Sequence, residues 1–191
     1  MSMRMLLMSI ATTTAMSGAA FAQTAEELVG DQSTPSDILT YGMGYNQNRH
    51  SSLSQINKEN VGDLRPVWTY SLADVRPQES FPLIREGVMY VTTPDATIAL
   101  DAISGRQIWK SVFEYRADTV RMACCGIVNR GSAILDGILF RTTLDAHVIA
   151  LDVATGKEVW RTKSIDIDEG YSMTVAPLVA DGVVIVGVSG G

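Results

Sequence analysis

Positive charge is scarce in this chain and nowhere clustered: Lys and Arg number 15 against 21 Asp and Glu, for a formal net charge of −6. Such a balance repels phosphate, which argues against nucleic acid and anionic membrane surfaces as partners and leaves neutral molecules or basic proteins. Cysteine is scarcer still. The two residues, Cys124 and Cys125, are adjacent, so no framework of disulfides can staple the fold. The two histidines, His50 and His147, fit no ligand pattern and read as surface or turn residues. Long apolar runs are missing as well. Thr12, Thr13, Thr14 and Ser17 dilute the N-terminal stretch, which falls short of the roughly 20 apolar residues a membrane span needs.

What that stretch does contain is an export pattern. Arg4 supplies a positive charge, Met5 to Ile10 form a short apolar run, and Ala20-Phe21-Ala22 make a small-x-small cleavage site before Gln23. Residues 1–22 are therefore expected to be a cleaved signal peptide and the mature protein to be periplasmic. Residues 23–59 carry scattered Gly, Pro, Ser and Asn with little periodicity, which predicts an irregular segment. Gly42-Met43-Gly44 reads there as a turn, because no strand precedes it and no helix follows as a phosphate loop would require.

From about Asn60 onward the chain repeats itself. Ala99-Leu100-Asp101-Ala102-Ile103-Ser104-Gly105-Arg106-Gln107-Ile108-Trp109 aligns with Ala150-Leu151-Asp152-Val153-Ala154-Thr155-Gly156-Lys157-Glu158-Val159-Trp160, with the two tryptophans 51 residues apart. Glu86-Gly87 and Asp136-Gly137 precede the two copies, and Asp181-Gly182 opens a third. Short β-branched and aromatic runs between such turns predict an all-β fold, and a period of about 40–50 residues predicts propeller blades. Each repeat's Trp, and Trp68 before them, is expected to bury its ring between neighbouring sheets while its N–H finds an acceptor. About three blades fit in residues 60–191, whereas closed propellers have at least about four. The sequence is therefore expected to be the N-terminal portion of a larger protein.

The cysteine pair leaves two readings open. In an exported protein neighbouring thiols can close a strained eight-membered ring, although their Cα atoms stand only about 3.8 Å apart, below the usual range for disulfides. They can equally be two buried thiols behaving as small apolar groups.

Ala123-Cys124-Cys125-Gly126-Ile127-Val128-Asn129-Arg130-Gly131 closely resembles the vicinal-disulfide segment of methanol and ethanol dehydrogenases that carry pyrroloquinoline quinone. The Trp-terminated repeat is similar to that family's tryptophan-docking motif. The resemblance implies an eight-bladed propeller, of which this chain holds about three blades, and an enzyme oxidising primary alcohols to aldehydes. It further implies a Cys124–Cys125 disulfide lying against the quinone and Arg130 pairing with a quinone carboxylate. Glu79, Thr174, Ser189, Gly190 and Gly191 fall at the family's other cofactor-contacting positions. No catalytic base and no metal ligand is expected within this chain, because the family's base and its calcium or lanthanide ligands would lie further on. Cytochrome c is implied as electron acceptor, and a second copy or a small subunit as a compatible partner. Gly126, where relatives often carry Asp, and Val175, where some carry a smaller residue, depart from the pattern without removing a reactive group. Two other readings share the docking motif: a non-catalytic propeller scaffold of outer-membrane assembly, and a quinone-dependent sugar dehydrogenase. The cysteine segment argues against the first, and the absence of preceding membrane spans against the second.

Overall fold

The computed structural model describes residues 24–123 and 126–190, with the side chain of Met122 excepted. The expected signal peptide, residues 1–22, lies outside them. Strands β1 (Leu83–Arg85), β2 (Val88–Thr92), β3 (Ala96–Asp101) and β4 (Gln107–Val112) form one antiparallel sheet in sequential order. Strands β5 (Ser132–Leu135), β6 (Ile138–Thr142), β7 (His147–Asp152) and β8 (Glu158–Lys163) form a second sheet of the same order. The two share even their irregularity, a register shift between Ala99 and Leu100 in one and between Ala150 and Leu151 in the other. Further on come β9 (Tyr171–Ser172), the hairpin β10 (Leu178–Ala180) with β11 (Val183–Ile185), and β12 (Ser189–Gly190), which pairs with β9. These are propeller blades: two complete, and a third begun by a hairpin.

Local chemistry explains the hairpins. In Glu86-Gly87, Asp136-Gly137 and Asp181-Gly182 both central residues have positive φ. Such turns match the right-handed strand twist, and glycine carries the second position without strain. The connections before β4 and β8 close differently. Asp101 accepts hydrogen bonds from the Ser104 N–H and hydroxyl, and Asp152 does the same for Thr155. Those bonds, led by the one from the hydroxyl, hold both carboxyls below the ordinary Asp range.

Alternate residues of the second sheet bury in opposite directions, as period-2 side chains must. Ile134, Leu139, Ile149 and Leu151 pack with Leu83, Tyr90, Ala99, Trp109 and Phe113 of the first blade. Ala133, Phe140 and Ala150 pack the other way, onto Val179 of the third hairpin and onto Leu28 and Leu39. The tryptophans lock neighbouring blades. Trp68 donates to Ala102 O and Trp109 to Val153 O, each at 3.1 Å. A Cβ placed on Gly105 or Gly156 would come within 2.5 Å of the Trp68 or Trp109 ring, so only glycine admits the stacked indole. Trp160 is half-exposed, since no docking loop reaches it among the described residues.

Two glycines with similar backbones separate these effects. Gly137 (φ 76°) has nothing within 4 Å of its would-be Cβ, whereas Gly156 (φ 69°) faces Trp109 and Ser111. Gly137→Ala is expected to lower stability by about 1 kcal/mol, the cost of a left-handed non-glycine residue. Gly156→Ala should cost about 1–3 kcal/mol more, from overpacking. Urea unfolding of both variants measures the difference, and equal losses would refute the docking role of Gly156.

The segment before the blades contains a short α-helix, α1 (Ala25–Val29), opened by a capping box between Thr24 and Glu27, and 3-10 turns at Asp31–Ser33 and Val61–Asp63. Apolar periodicity gives no hint of so short an element. Asp31, 3% exposed, then gathers the chain by accepting from Leu39 N, Thr40 N and the Thr40 hydroxyl. Gly42, Met43 and Gly44 all have positive φ and make the turn expected of them. On either side of that turn the segment touches the blades: Ile38 bridges Ile84 of β1, and the Tyr45 hydroxyl donates to Val179 O of β10 at 2.7 Å.

Candidate functional site

Three backbone stretches that are remote in sequence lie side by side at one end of the blades. The first, just before β1, carries Glu79. The second, between β4 and β5, contains helix α2 (Thr119–Met122) and ends in Arg130. The third, between β8 and β10, carries Thr174. They are joined by main-chain hydrogen bonds of 3.0 Å, from Phe81 N to Arg130 O and from Arg130 N to Thr174 O.

Side chains converge on the same line. The Arg130 guanidinium pairs with Glu79 at 2.8 Å through Nη2 and donates to the Thr174 hydroxyl through Nη1. Both charged side chains are partly open, Arg130 at 41% and Glu79 at 45% exposure. A guanidinium has five N–H donors in a rigid fork, so this geometry leaves some of them for an anionic ligand. Arg130 also forms, with Tyr41, Gln47, Val175 and Ala176, a cavity of about 250 Å³. Tyr41 and Gln47 come from the segment before the blades, and nothing in the sequence singles them out.

Ser189 and Gly190 reach the site through β12. They pair with Ser172 and Tyr171 of β9, two residues upstream of Thr174, and the Ser189 hydroxyl lies 3.3 Å from that of Ser172. Gly190 adopts φ 101°, and a Cβ there would stand 2.0 Å from Gly170 O, so the close strand approach requires glycine. The structure thus brings together Glu79, Arg130 and Thr174, and places Ser189 and Gly190 on the strand paired with β9, just upstream of Thr174. Cys124, Cys125 and Gly191 lie outside the described residues. Nearer β4, two ion pairs hold the start of the second stretch. Arg116 pairs with Asp118 of its own loop at 2.9 Å and with Asp168 of the following blade's loop at 2.7 Å.

The histidines stand apart from this constellation. His147 opens β7 rather than a turn, with Nδ1 3.2 Å from Asp145, and His50 lies in the exposed irregular segment. Among the described residues no group of three or more His, Cys, Asp or Glu could hold a metal ion.

Comparison with known proteins agrees with the architecture. The sequence profile of the β-propeller domain of glucose, ethanol and alcohol dehydrogenases, designated PQQ, matches residues 39–190. The chain is 40% identical over 180 residues to the quinoprotein alcohol dehydrogenase PedH of Pseudomonas putida, covering 92% of this chain and 30% of that protein. It is 44% identical over 171 residues to a quinoprotein ethanol dehydrogenase of Pseudomonas aeruginosa, covering 86% of this chain and 27% of the relative. Among solved structures, a europium-containing methanol dehydrogenase superposes with a TM-score of 0.82 at 39% identity, over 86% of this chain and 29% of that one. The chain therefore spans less than a third of the length of these relatives.

Proposed function

The chain belongs to the PQQ-carrying β-propeller family of glucose, ethanol and alcohol dehydrogenases, and we propose that it forms the quinone cradle of a periplasmic enzyme oxidising primary alcohols to aldehydes. The observation that carries this reading is the convergence of Glu79, Arg130 and Thr174 from three separate loops. A planar tricarboxylate fits that donor set. Arg130 offers a bidentate fork to a carboxylate, and the Thr174 hydroxyl lies beside it.

When bound, the quinone supplies a two-electron acceptor for the alcohol. This chain's own residues hold and orient it: Arg130 by charge, Thr174 and Ser189 by their hydroxyls, Gly190 and Gly191 by close backbone approach. Cys124 and Cys125, joined as a vicinal disulfide, would supply a stiff apolar wall. Glu79 fixes the fork of Arg130 and balances its charge before a ligand arrives. Calcium or a lanthanide as accompanying ion and cytochrome c as electron acceptor complete the proposal.

The test is reconstitution of the full-length protein with pyrroloquinoline quinone and either calcium or a lanthanide, followed by dye reduction with a primary alcohol. Stoichiometric quinone uptake and alcohol-dependent turnover are expected. Residues 1–191 expressed by themselves should give no turnover, since no group here is assigned as the base. Cys124 and Cys125 should resist alkylation until reduced. Failure of the full-length protein to take up quinone would end this reading.

A further inference from the structure

Beneath the exposed constellation runs a buried chain of hydrogen bonds whose members are the sequence neighbours of the site residues. Asn129, 2% exposed, is its hub. Its Oδ1 accepts from the Thr92 hydroxyl of β2 at 2.6 Å and from Gly131 N at 3.0 Å, while its Nδ2 donates to Thr142 O of β6 at 3.0 Å. On one side the chain reaches Ser80, whose hydroxyl oxygen lies 3.0 Å from both the backbone N and the hydroxyl of Thr92. On the other side the Thr142 hydroxyl donates to Val175 O at 2.7 Å.

Ser80 adjoins Glu79, Asn129 adjoins Arg130, and Val175 adjoins Thr174. The network therefore ties together the backbones of the three residues that meet at the guanidinium, and it anchors them to the middle strands of both complete blades. An Asn amide suits the hub because it donates on one side and accepts on the other. Thr92 and Thr142 are likewise buried, and the three bonds made by the Asn129 amide are shielded from water.

We propose that Asn129 is a positioning residue that, through Thr92 and Thr142, sets the register of Glu79, Arg130 and Thr174 for a carboxylate-bearing ligand. The inference rests on the quinone-cradle reading for its ligand, but the positioning itself can be measured without one.

Two variants of the full-length protein test it, Asn129→Ala and the nearly isosteric Thr92→Val, which removes one hydroxyl and preserves shape. Asn129→Ala is expected to weaken quinone binding, followed by fluorescence titration, by about tenfold or more, as misplacement of a binding group does. Thr92→Val should give a smaller loss in the same direction. In an Arg130→Ala background each should add clearly less than its loss in the unaltered protein, because the principal group they position is gone. Crystal structures of the ligand-free variants should show the guanidinium withdrawn from its 2.8 Å contact with Glu79 while the blades stay in place. Unchanged affinity, or losses that add in full to that of Arg130→Ala, would overturn the proposal and indicate general loosening. If the unaltered protein took up no quinone, the cradle reading would fall, and the guanidinium position in the variant crystals would still decide whether Asn129 holds it. Should Asn129→Ala not fold, Thr92→Val carries the same comparison.

Discussion

Arg130→Ala is expected to reduce quinone affinity in the full-length protein by about 100-fold, or roughly 3 kcal/mol, the scale of charge-assisted hydrogen bonds removed from a binding site. The loss has two parts. The ligand's carboxylate loses its fork, and Glu79, now without its 2.8 Å partner, faces the anionic ligand as a bare negative charge. The second part is repulsive and can be isolated: Arg130→Ala combined with Glu79→Ala should bind more tightly than Arg130→Ala alone. Arg130→Lys should fall between the unaltered protein and Arg130→Ala, because an ammonium keeps the charge but cannot span Thr174 and Glu79 with a planar fork. Fluorescence titration with the quinone measures all four proteins. Equal affinity of Arg130→Ala and the unaltered protein would remove Arg130 from the cradle.

The second large effect concerns an arginine that touches no ligand. Arg141 of β6 is 0% exposed and sits between the two complete blades. It donates to Thr142 O, to the Thr97 hydroxyl, and through Nη2 to Thr93 O and Pro94 O at 3.1 and 2.9 Å. Its guanidinium carbon lies 4.6 Å from the centre of the Phe113 ring. Burial pulls its pKa down, to about 9, yet leaves it charged at neutral pH. Among the described residues no carboxylate lies within ion-pair distance, so oriented carbonyls and an aromatic face stabilise the charge, helped by the more distant Asp95. Arg141→Ala would leave a cavity and strand the Thr93 and Pro94 carbonyls away from water. A loss of about 3–5 kcal/mol follows, the range for breaking a buried charged network. Arg141→Met, which refills much of the space but supplies no donor, should recover part of that loss. Urea unfolding checks both, and a loss below about 1 kcal/mol for Arg141→Ala would show that the blades do not depend on this tie.

The contrast between these two arginines shows what can be read from a sequence like this one. The paired positive φ of Asp136-Gly137 and the docking of Trp109 over Gly156 are set within a few residues or repeat at fixed spacing, so the turns and blades were legible. Arg130, Glu79 and Thr174 were named from resemblance, and the structure brings them together although 95 residues separate the first from the last. Arg141 and Asn129 were not legible. A strand reading Ile138-Leu139-Phe140-Arg141-Thr142 suggests an arginine turned to solvent, whereas stacking covers both faces of this sheet. Nothing local tells Asn129 that Thr92 and Thr142 will arrive from two different blades. The roles of Tyr41 and Gln47 beside Arg130 depend on the same long-range assembly.

The contacts of the first segment with the first and third blades bear on the order of events during synthesis. Tyr45 cannot find its acceptor until Val179 has been made, 134 residues later. At translation rates of about 5–20 residues per second, that delay is on the order of ten seconds. Throughout it Leu28 and Leu39 have no completed surface on which to bury. The segment that precedes the blades thus settles after the two complete blades have been made, and Leu28 and Leu39 stay open until then.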